Sequence, residues 1–385
     1  MQIITSGNEC TGCAACMNAC TKGAITMKPQ GRFGHLFPVI DSDKCIDCGL
    51  CKKSCPVINK VELRRPKTAY AGWAKSEDEN KKSTSGGAAS VLTRKVLSEG
   101  GVVYGCANIG IDVKHIRIDK IEDIDLLRGS KYVQSSMGLI MKQVKQDLNN
   151  GVKVLFVGSP CQCAGLKIYL RKEYENLLLV DLICHGTPSL KLLQDHVSST
   201  ISKDQVVKHI YFRDGSNYEF SLIVKNAANE ELYRSNLWKQ RYHDAYYTSF
   251  IRGYTYRPSC NQCQFAKTER CSDITIGDFW GLGEKKTFVP IAKAYGYSVV
   301  LPNSEKGISM LNNISDLFYL QERDVEEAKV KNPQLNSPKR LSINARLFQW
   351  LFNHGCSLKS SLYIADWYRV IAFKLLKKIN IWLKE

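Results

Sequence analysis

Two stretches decide how this chain is read: Cys10-Thr11-Gly12-Cys13-Ala14-Ala15-Cys16-Met17-Asn18-Ala19-Cys20 and Cys45-Ile46-Asp47-Cys48-Gly49-Leu50-Cys51-Lys52-Lys53-Ser54-Cys55, the second followed by Pro56. Each spaces its thiols Cys-x2-Cys-x2-Cys-x3-Cys. That spacing lets three thiolates reach three corners of one four-iron cubane, and in two-cluster ferredoxins the fourth cysteine of each run ligates the other cluster. The expected ligand sets are therefore Cys10, Cys13, Cys16 and Cys55 for cluster one, and Cys45, Cys48, Cys51 and Cys20 for cluster two. Zinc knuckles or a disulfide scaffold would also use cysteine, but neither calls for this four-cysteine run twice over. Thr21 stands where a proline usually follows the fourth cysteine, a change expected to alter the turn and not the ligation.

The chain has 385 residues, far more than the roughly 60 of such a module, so a further domain with its own core must follow. The expected class is α+β: a bacterial-type ferredoxin domain over 1–60, an α/β domain with a mixed sheet and a β insertion over 68–335, and a helical basic tail over 336–385. Lys60 to Lys67 reads as a charged linker. Tyr70–Ala74, Val102–Ala107, Val152–Val157 and Leu177–Ile183 are apolar runs of the kind that form buried strands. Helical patterns alternate with them, ending near Glu99 and over 136–149, 163–172 and 189–202, which implies crossovers and a largely parallel sheet. Short strands at 207–212, 220–225 and 231–234 read as the insertion, and strands at 274–277 and 298–301 rejoin the sheet.

Eight of the sixteen cysteines lie outside the ferredoxin runs, and no signal peptide precedes the first ligand. A reducing compartment, most simply the cytoplasm, is expected, with few disulfides. No stretch approaches the roughly 20 apolar residues of a spanning helix. The formal charge of +17 falls toward about +10 once three clusters and a pyrophosphate are counted. A basic surface of that size suits an acidic redox protein, an anionic substrate or a lipid surface. No nucleic acid is expected, because the basic and aromatic residues form no recognition motif.

A second constellation lies in the larger domain. Cys161 follows one predicted strand through Gly158-Ser159-Pro160, and Cys184 ends the next, so parallel neighbours would bring both thiols to one carboxyl edge. Cys260-x2-Cys263 can complete a four-thiolate site, with Cys271 and Cys163 as competitors; the alternative is that Cys161 and Cys184 are inert core thiols. Ser85-Gly86-Gly87-Ala88 precedes a helix and could hold a phosphate against its N-terminus, or simply start the helix. No Gly-x-Gly-x-x-Gly or Walker motif is present.

Taken in order, the ferredoxin runs, Ser85-Gly86-Gly87, residues 128–135 (RGSKYVQS), 158–162 (GSPCQ), 183–189 (ICHGTPS), Cys260-x2-Cys263 and 273–281 (DITIGDFWG) resemble the coenzyme F-420 hydrogenase/dehydrogenase beta-subunit family over about residues 1–335. The resemblance implies an iron-sulfur flavoprotein oxidoreductase with FAD and a third 4Fe-4S cluster. Cys161, Cys184, Cys260 and Cys263 would be that cluster's ligands, which leaves out Cys271. Ser85, Gly86, Gly87, Ser130, Lys131 and Tyr132 would hold the flavin. Lys131 would stabilise negative charge on it, and His185 would donate a proton or tune the cluster. One-electron transfer through the clusters would be coupled to two-electron chemistry on an organic substrate, in some family members alongside polysaccharide synthesis. The alternative is an electron-transfer subunit that serves a partner enzyme and has no substrate of its own.

Beyond the shared motifs, Tyr363, Trp367, Val370, Ile371, Lys374, Leu375, Lys377, Lys378, Ile381 and Trp382 form a helical pattern that could lie on an anionic membrane surface. Removal of residues 360–385 is expected to leave iron and flavin in place.

Overall fold

The computed structural model describes residues 4–214 and 219–382, the side chains of 376–382 excepted. Lys377, Lys378, Ile381 and Trp382 of the tail pattern therefore have side chains outside the described residues. In the N-terminal module, β1 (Ile25–Gln30) pairs antiparallel with β2 (His35–Ile40), flanked by the short helices Ala15–Ala19 and Leu50–Lys53. The two cysteine runs repeat in conformation as well as in sequence. Gly12 and Asp47, each just before the second cysteine, and Ala14 and Gly49, each just after it, all take positive φ. Two left-handed residues at matched places in each run wrap the loop around its thiols, a conformation that glycine adopts without the steric cost borne by Ala14 and Asp47.

The larger domain is built on an eight-stranded mixed sheet. Its strands are β3 (Ala69–Ala74), β4 (Val102–Ile109), β5 (Asp112–Ile118), β6 (Val154–Gly158), β7 (Leu177–Leu182), β11 (Ile274–Asp278), β12 (Ser298–Pro302) and β13 (Phe318–Arg323), in the order β13-β3-β12-β11-β7-β6-β4-β5. The centre, β4-β6-β7-β11, is parallel, and both flanks are antiparallel. Alternation along β6 fixes the two layers: Val154 and Phe156 pack under helices Ile140–Asn149 and Pro160–Leu170, and Leu155 packs under helix Ala88–Ser98. Ala14 and Ala15 of the ferredoxin module belong to the first of these cores, so the module shares apolar packing with the sheet domain.

The insertion is a three-stranded antiparallel sheet, β10-β9-β8, made of β8 (His209–Asp214), β9 (Glu219–Lys225) and β10 (Glu231–Asn236). It agrees with the sequence reading within about two residues at each end, the usual uncertainty of element boundaries. The helix expected from residue 136 starts at Ile140, because the Ser136 amide donates to Val113 O of β5 instead of turning helical. The sequence reading missed β5 and β13. β5 is an edge strand whose hairpin to β4 turns at Gly110-Ile111, Gly110 having φ 63°.

The C-terminal region is helical as expected, over Ile343–Asn353, Leu358–Ala365 and Trp367–Trp382, but it is not an appendage. Phe348 and Leu362 are fully buried, and the Phe352 ring packs at a tilt against Phe33 of the ferredoxin module, centroids 4.8 Å apart. Arg32 donates to the carbonyls of Phe352 and Gly355. The hub of this region is Asp366, fully buried. It accepts from Tyr242 Oη (3.1 Å), Tyr254 Oη (2.6 Å) and Asn344 Nδ2 (2.9 Å), with Arg252 at 3.3 Å and Arg369 at 3.2 Å. Removing residues 360–385 would strip this hub out of the body, contrary to the sequence-based expectation of a dispensable tail. Among the described residues no helix is long and apolar enough to cross a membrane.

Asp366→Ala is expected to destabilise the protein by about 3 kcal/mol, since it leaves two buried tyrosine hydroxyls and two guanidinium groups without their acceptor. Urea unfolding measures this, and a loss below about 1 kcal/mol, the worth of one ordinary hydrogen bond, would contradict the assignment of the hub.

Candidate redox site

The ferredoxin thiols fall into two groups. Cys10, Cys13, Cys16 and Cys55 are buried and close enough that each ionised neighbour raises the next. Burial, then the charges of Cys10 and Cys55, pushes the Cys13 thiol up to about 11. Burial and the neighbouring cysteines push Cys16 well above the usual thiol range. Cys51 is raised by burial and by Cys48 and Cys45, and Cys20 packs in the same apolar cluster as Cys51. Cys48 is exposed, so the second group lies at the surface and the first faces inward.

A third group forms in the sheet domain. Cys161 lies in the first turn of helix Pro160–Leu170, directly after β6, where Ser159 and Gln162 form a reciprocal cap. Cys184 lies two residues past β7, the parallel neighbour of β6. Cys260 sits within the 3-10 turn Pro258–Gln262 and Cys263 closes it. Burial pushes the Cys184 and Cys260 thiols up to about 12, with Cys260 and Cys263 adding to the first and Cys161 and Cys263 to the second. Cys161 is raised further still by the same causes. Four mutually repelling thiols in one enclosed place cannot all ionise unless a cation compensates them.

Cys163 and Cys271 pack in the core beside this group, and Cys161 and Cys271 add to the burial that raises Cys163. Both are buried deeper and donate to main-chain carbonyls, Val180 O at 3.6 Å and Pro160 O at 4.0 Å. Among the described residues no three ligating side chains gather tightly enough for a single ion.

The first and third groups are neighbours. The charge of Cys13 contributes to raising Cys161, and a Cβ on Gly165 would lie 2.9 Å from Cys13 Sγ. Arg257, 1% exposed, spans the gap. Nothing in the sequence marked Arg257 or Gly165, since each owes its place to a contact between distant segments.

Cys161, Cys184, Cys260 and Cys263 all border one cavity of about 940 Å³, which also reaches residues 83–85, Gly87, Ala88 and 128–132. Its size sits at the upper end of the ~300–1,000 Å³ typical of small-molecule sites. The helix Ala88–Ser98 points its N-terminus here; it has no capping side chain and no acid in its first turn, so its free N–H groups suit an anion. Gly86 does not border this cavity. A Cβ there would lie 2.0 Å from Gly72 O and 2.5 Å from Ser298 N, so its bareness lets the loop press onto β3 and β12. Gly87, at φ 90°, makes the left-handed turn into the helix.

Ser85 donates to Tyr297 O (2.9 Å), and Ser130 pairs with Thr84 (3.1 Å). Lys131 Nζ donates to Leu127 O (2.8 Å) and Arg128 O (2.7 Å), and burial pushes its ammonium down to about 8. The Tyr132 ring stacks on Phe250 at 5.1 Å, and its hydroxyl accepts from Arg213 (3.2 Å). Arg213 also pairs with Asp278 at 3.2 Å and lies over Phe220 and Trp280. Asp278 and Trp280 fall within the quoted DITIGDFWG stretch, but Arg213 comes from the β insertion and carried no sequence signal. His185 opens onto the cavity beside Cys184; the surrounding protein and Lys339 push its imidazole down to about 4, leaving it neutral at ordinary pH.

Residues 151–328 match the family model for the C terminus of the coenzyme F420 hydrogenase/dehydrogenase beta subunit, and two 4Fe-4S dicluster domain models match 9–59 and 41–110. Residues 151–328 are thus similar to the C-terminal domain of that beta-subunit family, behind a segment similar to a 4Fe-4S dicluster domain. The F subunit of the F(420)H(2) dehydrogenase of Methanosarcina mazei is 24% identical over 218 residues, covering 51% of this chain and 59% of that protein. The coenzyme F420-dependent sulfite reductase of Methanocaldococcus jannaschii is 26% identical over 175 residues, covering 43% of this chain and 26% of that protein. The chain therefore spans less than two thirds of either relative. One polypeptide of the xenon-derivatised F420-reducing [NiFe] hydrogenase complex of Methanosarcina barkeri shares 18% identity at a TM-score of 0.47, covering 71% of this chain and 90% of that one. The dicluster-domain matches mark the N-terminal module as an iron-sulfur module, and the two relatives are named as a dehydrogenase subunit and a reductase.

Gly86→Ala is expected to lower the yield of folded protein, because main-chain atoms on two strands must move to admit the methyl group. Circular dichroism and thermal melting check this, and a variant that folds and melts like the parent would remove the packing role.

Proposed function

We propose that the chain is an iron-sulfur flavoprotein oxidoreductase, with twelve cysteines holding three 4Fe-4S clusters and the large cavity holding FAD. The observation that carries this reading is that Cys161, Cys184, Cys260 and Cys263 line the same cavity as the free N-terminus of helix Ala88–Ser98 and Lys131. When bound, the clusters supply one-electron steps, and the flavin joins them to two-electron chemistry on an organic substrate. The helix N-terminus and Gly87 suit a pyrophosphate, with Ser85 and Ser130 on the flanking loops. Tyr132, Phe220 and Trp280 offer aromatic surface, and the Lys131 ammonium offsets negative charge on the bound ring. His185, neutral and accessible from the cavity, can exchange a proton with an occupant.

The dicluster module gives this site an outlet. Cys48 is exposed, as are Ile46 (61% exposed) and Ile58 (48% exposed) of the same module, a surface suited to a protein that exchanges electrons. The relative named as part of a dehydrogenase supports such a partner, and with it the second reading, an electron-transfer subunit without a substrate of its own. The size of the cavity favours the first reading.

The C-terminal helices offer a second contact, to an anionic lipid surface. Ile343, Leu347 and Trp350 on one helix, and Trp367, Tyr368, Ile371 and Leu375 on another, are exposed, and Asn344 reaches the Tyr368 hydroxyl between them at 3.4 Å. From Ser342 to Trp382 the sole acid is Asp366, which is buried and paired with arginine, whereas Arg346, Lys359 and Lys374 are exposed. Tryptophan beside lysine and arginine, with no exposed acid, is the composition of an interfacial face.

Anaerobically purified protein is expected to contain about twelve irons and one FAD, falling to about eight irons in Cys263→Ser. About eight irons in the parent would remove the third cluster, and failure to take up FAD on reconstitution would remove the flavin. Reduction of that flavin only in the presence of a partner protein would favour the second reading. Sedimentation with vesicles containing phosphatidylserine is expected for the parent at low salt and is expected to be lost in Trp350→Ser/Trp367→Ser/Ile371→Ser, which keeps the buried faces intact. Equal sedimentation of parent and variant would contradict the lipid contact.

A further inference from the structure

We infer that Arg257 is the positioning residue that ties cluster one to cluster three and raises the reduction potential of cluster one; this rests on the ligand sets proposed above. Its main chain is fixed within the third thiol group. The Arg257 amide donates to Thr187 O at 3.0 Å, three residues past Cys184, and its carbonyl accepts from the Cys260 amide at 2.9 Å. Its side chain ends in the first group. Nε donates to Cys10 O at 2.5 Å and Nη2 to Cys10 Sγ at 3.5 Å. The rest of the fork is also occupied: Nη1 donates to Gln134 Oε1 at 3.1 Å and Nη2 to Leu36 O at 2.8 Å, and the guanidinium carbon lies 4.3 Å from the Phe37 ring centroid. The fit is tight, since a Cβ on Gly12 would lie 2.8 Å from Nη1.

No carboxylate is among these contacts, so the charge of Arg257 is directed at the thiolates. His35, buried nearby, adds no second cation, because burial and Arg257 push its imidazole down to about 3. Reduction adds one electron to a cluster whose thiolates already make it anionic. A fixed cation and an N–H to a ligand sulfur stabilise the reduced form more than the oxidised one, and charge and hydrogen bonds to sulfur are the protein's main control over such potentials. Cluster one, whose Cys13 lies close enough to act on Cys161 of the third group, is therefore biased to accept an electron.

The test is a redox titration of the full-length, anaerobically purified protein followed by electron paramagnetic resonance, with cluster one assigned as the signal altered in Cys16→Ser. Arg257→Met is expected to keep its iron and to make reduction of cluster one at least tenfold less favourable, a downward shift of 59 mV or more for a one-electron couple, with cluster two unmoved. Gln134→Glu, which sets a carboxylate against the guanidinium without changing size, is expected to shift cluster one in the same direction. It decides the matter should the Arg257→Met chain not fold. An unmoved cluster-one potential in a folded variant overturns the inference. A parent protein with about eight irons or fewer overturns the ligand sets instead, so the two failures can be told apart.

Discussion

Cys13 can reach helix Pro160–Leu170 only because residue 165 has no side chain, and this close approach is the constraint around which the protein is arranged. A side-chain carbon there would sit 2.9 Å from the sulfur. The ferredoxin module must therefore be seated on the sheet domain to within a fraction of an ångström. Among the contacts that hold it there are apolar packing of Ala14 and Ala15 over the first core, Arg257 on Cys10, and Arg32 with Phe33 against the C-terminal helices. The C-terminal helices that Arg32 and Phe33 meet are themselves tied to the body by the hub at Asp366, which bonds to tyrosine, asparagine and arginine.

The topology then carries the arrangement inward. Parallel β6 and β7 release Cys161 and Cys184 at one carboxyl edge, where open α/β sheets place their ligands. The turn bearing Cys260 and Cys263 closes over them, and the cavity begins where the thiols end. The thiol groups thus run from the exposed Cys48, through a buried set and a half-buried set, to the large cavity. Each step inward lowers the local dielectric, which makes a single buried cation such as Arg257 worth more than any surface charge.

Much of this was legible in the sequence. The cysteine spacing, the apolar runs of β4, β6 and β7 and the three strands of the insertion are local signals, and the fold follows them. What could not be read were contacts between segments far apart in the chain. Gly86 looked like a phosphate-binding glycine and is one against which β3 and β12 press. The last 50 residues looked like a free amphipathic tail, because the sequence shows an apolar face without showing that half of it is already covered. Arg257 and Arg213 carried no signal, since a lone arginine gains meaning only from what the fold sets opposite it.

The central claim is that the floor of the cavity is an iron-sulfur centre continuous with those of the ferredoxin module. The most direct test is anomalous diffraction at the iron absorption edge from anaerobically grown crystals. The account predicts three iron sites, the third bounded by Cys161, Cys184, Cys260 and Cys263 and open to the cavity. Two sites only, or a third site held by other residues, would contradict it.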